Sequence, residues 1–248
     1  MAKVSFEEIE TKQPEKQLAI RETAIVVAAP VISDPDKGLI GEWTSEDLRL
    51  PRLNLVNKSG ELADNFTPGT WVVNREHAIT TVNSENKNVG NALTVIAATL
   101  SKQYQENTEF DPSTPRKMAN TAQEVRELGG RVSREKGDGN FSELAHIELF
   151  VESPENLSEE AAGLFFYEFG GKKYGRFVYT ASGGAFSAVA VTMASALKTY
   201  LMESGLIGGS WSLGSTLVKD SKNSWWKPTL RSAARIEPSV IQQIKGVL

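Results

Sequence analysis

The stretch L-F-F-Y-E-F-G-G-K-K-Y-G-R-F-V-Y-T, Leu164 to Thr180, constrains the fold more than any other. Its two aromatic and β-branched runs favour extended backbone, and the Gly170-Gly171 pair between them supplies the positive φ angles that a tight hairpin turn needs. An antiparallel hairpin is predicted here, and a hairpin is stable only within a larger sheet. Trp211 to Ala233 repeats the pattern, with W-S-L-G-S-T-L-V-K and W-W-K-P-T-L on either side of a polar turn around Ser221 to Asn223. Upstream, L-P-R-L-N-L-V-N-K alternates Leu53 and Leu55 with polar neighbours, and F-T-P-G-T-W-V-V-N places a Pro68-Gly69 turn before a short strand. Asn91 to Tyr104, with Thr94, Val95, Ile96 and Thr99, and Glu143 to Glu152 also read as strands.

Helical signals are fewer. T-A-Q-E-V-R-E-L-G-G offers Thr121 as N-cap, Glu124 as its capping-box partner and Gly129 as the stop of a two-turn helix. Ala185 to Glu203 is predicted as the longest helix, with Phe186, Val189, Met193, Leu197 and Leu201 on one buried face and Gly205 ending it. Residues 1–48 carry Pro14, Pro30 and Pro35 and no sustained apolar period, so they read as an arm, with at most one strand or short helix around Ala24 to Ala29. Such an arm is expected to order only in an oligomer or complex. Residues 49–248 are expected to form a single α+β domain, β-rich, either a barrel or a strongly twisted antiparallel sheet, with one long and one short helix.

Composition removes several function classes. There is no cysteine and only two histidines, His77 and His146, which excludes thiolate metal sites and thiol nucleophiles. No phosphate loop, H-E-x-x-H or G-x-S-x-G elbow occurs. D-P-D-K-G at Asp34 lacks the remaining ligands of a calcium loop, and the acidic group Glu106, Glu109, Asp111 reads as solvated loop. No catalytic residue, metal site or cofactor is expected. The acidic N-terminus has no signal-peptide pattern, and the longest weakly polar run, Ala185 to Leu197, is shorter than the roughly 20 residues of a membrane span. A cytoplasmic protein is expected, in the host cytoplasm if viral, with no membrane partner.

The net charge is -4, but its distribution is uneven: Leu164 to Leu248 holds 10 Lys or Arg against 4 Asp or Glu, and residues 1–163 hold 17 against 27. The basic segment is also the one rich in aromatic strands. On a strand, Tyr174, Arg176 and Val178 share one face, and Phe177 and Tyr179 share the other. Trp225 and Trp226 likewise point to opposite faces, so one is core and one displayed. The Lys227-Pro228 pair that follows favours Trp225 as the inward ring and Trp226 as the outward one. Displayed rings among cations suit single-stranded nucleic acid, since bases stack on aromatic faces while Lys and Arg hold the backbone. The candidate contact residues are Lys172, Lys173, Tyr174, Arg176, Tyr179, Lys219, Lys222, Trp225, Trp226, Lys227 and Arg231, with Arg235 nearby.

The segments L-P-R-L-N-L-V-N-K-S-G-E-L, F-T-P-G-T-W-V-V-N, S-K-Q-Y-Q-E-N-T-E-F, T-A-Q-E-V-R-E-L-G-G and W-S-L-G-S-T-L-V-K-D-S-K-N-S-W-W-K-P together resemble a group of phage-encoded single-stranded DNA-binding proteins. The resemblance covers about half the chain, in pieces, and carries over no individual site residue. It implies an OB-like barrel and a non-catalytic accessory of DNA replication or recombination that shields single-stranded DNA. The acidic arm and N-terminal half are read separately as limiting nonspecific binding or recruiting replication proteins, and the arm as a route to homo-oligomers. The alternative expectation is a phage structural or assembly protein whose aromatic hairpins are subunit contacts. A small-molecule enzyme is a third, without an acid, base and nucleophile set to name.

Overall fold

The structure is a computed structural model in which residues 32–34, 39–43, 49–108, 113–132 and 139–248 are described. Ala24 to Ala29, most of the predicted arm, and Glu109 and Asp111 lie outside the described residues. The chain divides into two units, residues 1–49 and 50–248. In the first, β1 (Ile32–Asp34) pairs antiparallel with β2 (Leu39–Trp43).

The second unit is built on β3 (Arg52–Leu55), α1 (Leu62–Asn65), β4 (Trp71–Val73), β5 (His77–Ala78), β6 (Val89–Glu106), β7 (Met118–Ala119), α2 (Ala122–Glu127), β8 (Phe141–Glu152), α3 (Glu159–Ala162), β9 (Tyr167–Phe169) and β10 (Lys172–Ser182). A helical run follows: α4 (Gly183–Ala185) passes through a π-helical turn, Phe186–Ala190, into α5 (Val191–Leu197). The chain ends in β11 (Gly209–Lys219), β12 (Ser224–Arg235) and α6 (Pro238–Lys245). The architecture is α+β and dominated by one mixed sheet of order β12-β11-β6-β8-β10-β3-β4-β5, with β7 on β6 and β9 on β10.

Two features depart from the expected sheet. β3 runs parallel to β10, whereas the other ladders are antiparallel. Parallel neighbours need a long crossover, and here the whole segment from α1 to β9 supplies it. The sheet is also open, because no backbone ladder joins β12 to the β3–β5 margin among the described residues; the barrel alternative is not formed.

Alternation sorts each strand into two faces. On β10, Phe177, Tyr179 and Ala181 stand opposite Leu149, Ile147 and Ala145 of β8, and all are buried in the main core. Into that face the helical run inserts Phe186, Val189, Met193 and Ala196, so the sheet curls around it. The predicted buried face is present, but α5 ends at Leu197. Thr192, Ser195 and Thr199 hydroxyls donate back to carbonyls one turn earlier, which competes with the ladder. Leu201 remains buried, and the chain leaves through Gly205 at φ +71°.

The opposite face carries a second core of Ile96, Phe150, Phe169 and Tyr174, covered by Ile244, Val240 and Ile241 of α6. α6 is not among the helices expected from the sequence. Its signal is present: Pro238 at the first turn, and Ile236, Val240, Ile241 and Ile244 at helical spacing before Gly246. The short helix α2 forms where predicted with Thr121 as N-cap, but Glu124 reaches the residue before the cap rather than the cap itself. The Thr121 hydroxyl accepts the Glu124 N–H at 3.1 Å, and the Glu124 carboxylate accepts the Asn120 N–H at 2.8 Å. Gly129, at φ +75°, closes it while the Gly130 N–H bonds the Val125 carbonyl at 2.8 Å. Among the described residues no helix is long and apolar enough to cross a membrane.

Candidate nucleic-acid interface

The two hairpins form as predicted: Gly170 (φ +56°) and Gly171 (φ +75°) join β9 to β10, and Asp220 to Asn223 joins β11 to β12. In the second turn the Asp220 carboxylate accepts the Lys222 and Asn223 N–H groups at 2.8 and 2.6 Å, bonds that hold its pKa below the usual carboxylate range.

The tryptophan pair alternates as expected but with the opposite assignment. Trp226 is the core ring, 5% exposed, and Trp225 is the displayed one, 38% exposed. The reason lies across the sheet. At Gly69 (φ +97°) a β-carbon would stand 2.7 Å from the Trp226 indole, so the ring lies flat on a backbone that only glycine leaves bare. Pro228, two residues on, falls in the same register as Trp226, facing away from β11, where its missing N–H breaks no ladder bond.

Tyr174 and Tyr179, expected as displayed rings, are each only 5% exposed. Tyr179 packs edge-on against Trp71, and its burial pushes the phenol pKa well up. Tyr174 lies against Phe169 beneath α6. Arg176 is ion-paired with Glu148 and donates to the Val247 carbonyl at 3.1 Å, so its guanidinium serves the fold. Lys172 pairs with Glu152 at 2.8 Å. Lys172 and Lys173 also stand at the far end of β10 from Ser182, roughly 33 Å away at about 3.3 Å per residue. Tyr179 borders the same cleft as Trp225 and Trp226, but as a buried ring, and Lys172, Lys173, Tyr174 and Arg176 do not join the tryptophan hairpin in one surface.

Another set does. β3 and β10 pair only through Arg52–Val178 and Leu53–Tyr179. Where that pairing ends a cleft of about 420 Å³ opens, lined by Arg52 and Asn54 of β3 with Thr180 and Ser182 of the adjoining β10, and by Trp225 and Lys227 of β12. Among the described residues no carboxylate lines it, and neither Arg52 nor Lys227 has an acidic partner. The helical run begins at this cleft: Gly184 lines it, with the Lys227 Cε 3.9 Å from where a Gly184 β-carbon would stand. Lys58 reaches the Ser224 hydroxyl at 2.7 Å, and Lys219 and Lys222 border the adjacent turn. Arg231 and Arg235 are exposed farther along β12.

Sequence reasoning missed Arg52, Asn54, Thr180 and Ser182. Their outward alternation with Leu53, Tyr179 and Ala181 was readable, but the parallel pairing that gathers them was not. Thr180 is held by His146, whose Nδ1 lies 3.0 Å from the Thr180 hydroxyl and whose Nε2 lies 3.0 Å from Gln103 Oε1. Since Gln103 Oε1 can only accept, Nε2 carries the proton and the hydroxyl donates to Nδ1. Burial, and then the nearby Arg52, hold the His146 pKa below its usual value. The unfolded chain therefore binds the proton more readily. Stability is expected to fall as pH drops from about 6.5 toward the lower folded pKa, and not to fall further on this account below it. Thermal melts of the wild type and His146→Gln between pH 7.5 and 5 check this, the variant lacking that component.

No protein-family model, curated protein or solved structure matches the chain.

Proposed function

We propose that the chain binds single-stranded DNA without sequence preference and without catalysis, as an accessory of phage DNA replication or recombination. One observation carries the reading: among the described residues, an exposed indole, Trp225, shares a cleft without carboxylates with two cations, Arg52 and Lys227, that have no acidic partner. A base stacks on the ring, and the phosphates lie against the cations and the polar groups of Asn54, Thr180 and Ser182. The segments that carry the family resemblance supply both sides of this cleft, L-P-R-L-N-L-V-N-K the one and W-W-K-P the other.

The expected result is tighter binding to oligo-dT than to duplex of equal length in anisotropy titrations at two salt concentrations, since duplex hides the bases from Trp225. Arg52→Gln and Lys227→Gln should each flatten the salt dependence by about one phosphate contact. Equal affinity for both ligands, or no binding at low salt, overturns the reading.

A second reading, subunit assembly, is favoured by Phe166 and Met202, exposed by 71% and 72%. Sedimentation of the full chain over a range of concentrations decides whether these residues meet another copy.

A further inference from the structure

We propose that Asn57 is a positioning residue for the cleft: its side chain splices β12 to the end of β3 and so fixes where Trp225 and Lys227 stand. The Asn57 Oδ1 accepts the Trp226 N–H at 2.8 Å, and its Nδ2 donates to the Trp226 carbonyl at 3.2 Å, across 169 residues of chain. This is the paired donor and acceptor that a neighbouring strand offers, supplied by one planar amide. Aspartate lacks the donor and leucine lacks both groups.

Trp226 is where such a splice can act. Its N–H and carbonyl face away from β11, and the next residue in that register, Pro228, has no N–H to give. The two residues flanking Trp226 in sequence are Trp225 and Lys227, both of the cleft. Arg52 stands on the other side of the cleft and belongs to the strand that leads into Asn57. The two sides of the cleft, far apart in sheet order, thus come together through this amide, with Ser215 Oγ donating to the Gly69 carbonyl at 2.6 Å beside it. A strand lying in the cleft touches both sides and bridges the same seam.

This inference rests on the nucleic-acid reading, and its test separates the two. Oligo-dT affinity is measured for the full-length wild type, Asn57→Ala, Trp225→Ala and the double variant, with circular dichroism reporting folding. Asn57→Ala is expected to weaken binding by about tenfold in the wild-type background and to have a clearly smaller effect once Trp225 is gone, because part of its influence passes through that ring and only the Lys227 part remains. A purely structural residue lowers the melting temperature and leaves the affinity of the folded protein unchanged, or lowers affinity equally in both backgrounds; either result overturns the proposal. Should Asn57→Ala not fold, hydrogen exchange of the wild-type peptide 224–228 gives the answer. Saturating oligo-dT is expected to slow its exchange, and bound oligo-dT that leaves it unchanged overturns the proposal. A wild type that binds no oligo-dT shows instead that the nucleic-acid reading itself has failed, and the proposal with it.

Discussion

Trp226→Ala is expected to lower stability by about 3–5 kcal/mol, whereas Trp225→Ala should cost about 1 kcal/mol or less and instead weaken oligo-dT binding by about 1–3 kcal/mol. The asymmetry follows from alternation on β12. The Trp226 ring is buried against Gly69, and its removal leaves a cavity at the seam between the sheet margins. Trp225 stands in the open cleft beside Lys227, where truncation removes a stacking face and little packing. Thermal or urea denaturation and oligo-dT titration of both variants, side by side, check the two halves. If Trp225→Ala leaves affinity intact in a folded protein, the cleft is not the binding surface. If Trp226→Ala is no more damaging than Trp225→Ala, the seam does not hold the fold.

What the sequence disclosed and what it hid divide along locality. Both hairpins, the capped helix α2, the long strand β6 and the buried face of the helical run were legible, because each rests on turn residues, periodicity or, for β6, its β-branched residues, all within about twenty positions. The orientation of the tryptophan pair was not. The local cue, Lys227-Pro228, pointed to an exposed Trp226, but the ring is covered by Gly69, which is 157 positions away and brought close only by the curl of the sheet. Tyr174 was misread for a similar reason. A strand that is aromatic on both faces can be half-exposed or covered twice, and here α6, the element left unpredicted, covers the second face. Arg176 followed it, since its partners Glu148 and the Val247 carbonyl come from β8 and the chain end. Half of the candidate site, Trp225 and Lys227, was therefore visible as an aromatic and basic hairpin. The other half, Arg52 and Asn54, depends on a parallel pairing between residues more than 120 positions apart, which no local pattern encodes.

Gly69→Ala should be nearly as damaging as loss of the indole, for two separable reasons. At φ +97° an alanine is strained by about 1–3 kcal/mol, and its methyl group, 2.7 Å from three carbons of the Trp226 ring, forces the seam apart at a further cost of about 1–3 kcal/mol. Gly171→Ala supplies the control, since that residue also has positive φ, +75°, but a β-carbon there meets nothing within 4 Å. It should show the backbone cost alone. The collision is isolated by combining Gly69→Ala with Trp226→Ala, because once the ring is gone the methyl group has room and the second substitution should cost little more than Gly171→Ala does. Urea denaturation of the four proteins measures the coupling. Strict additivity of Gly69→Ala and Trp226→Ala would mean that the indole does not rest on this glycine, and that the margins of the sheet are joined in some other way than through Trp226.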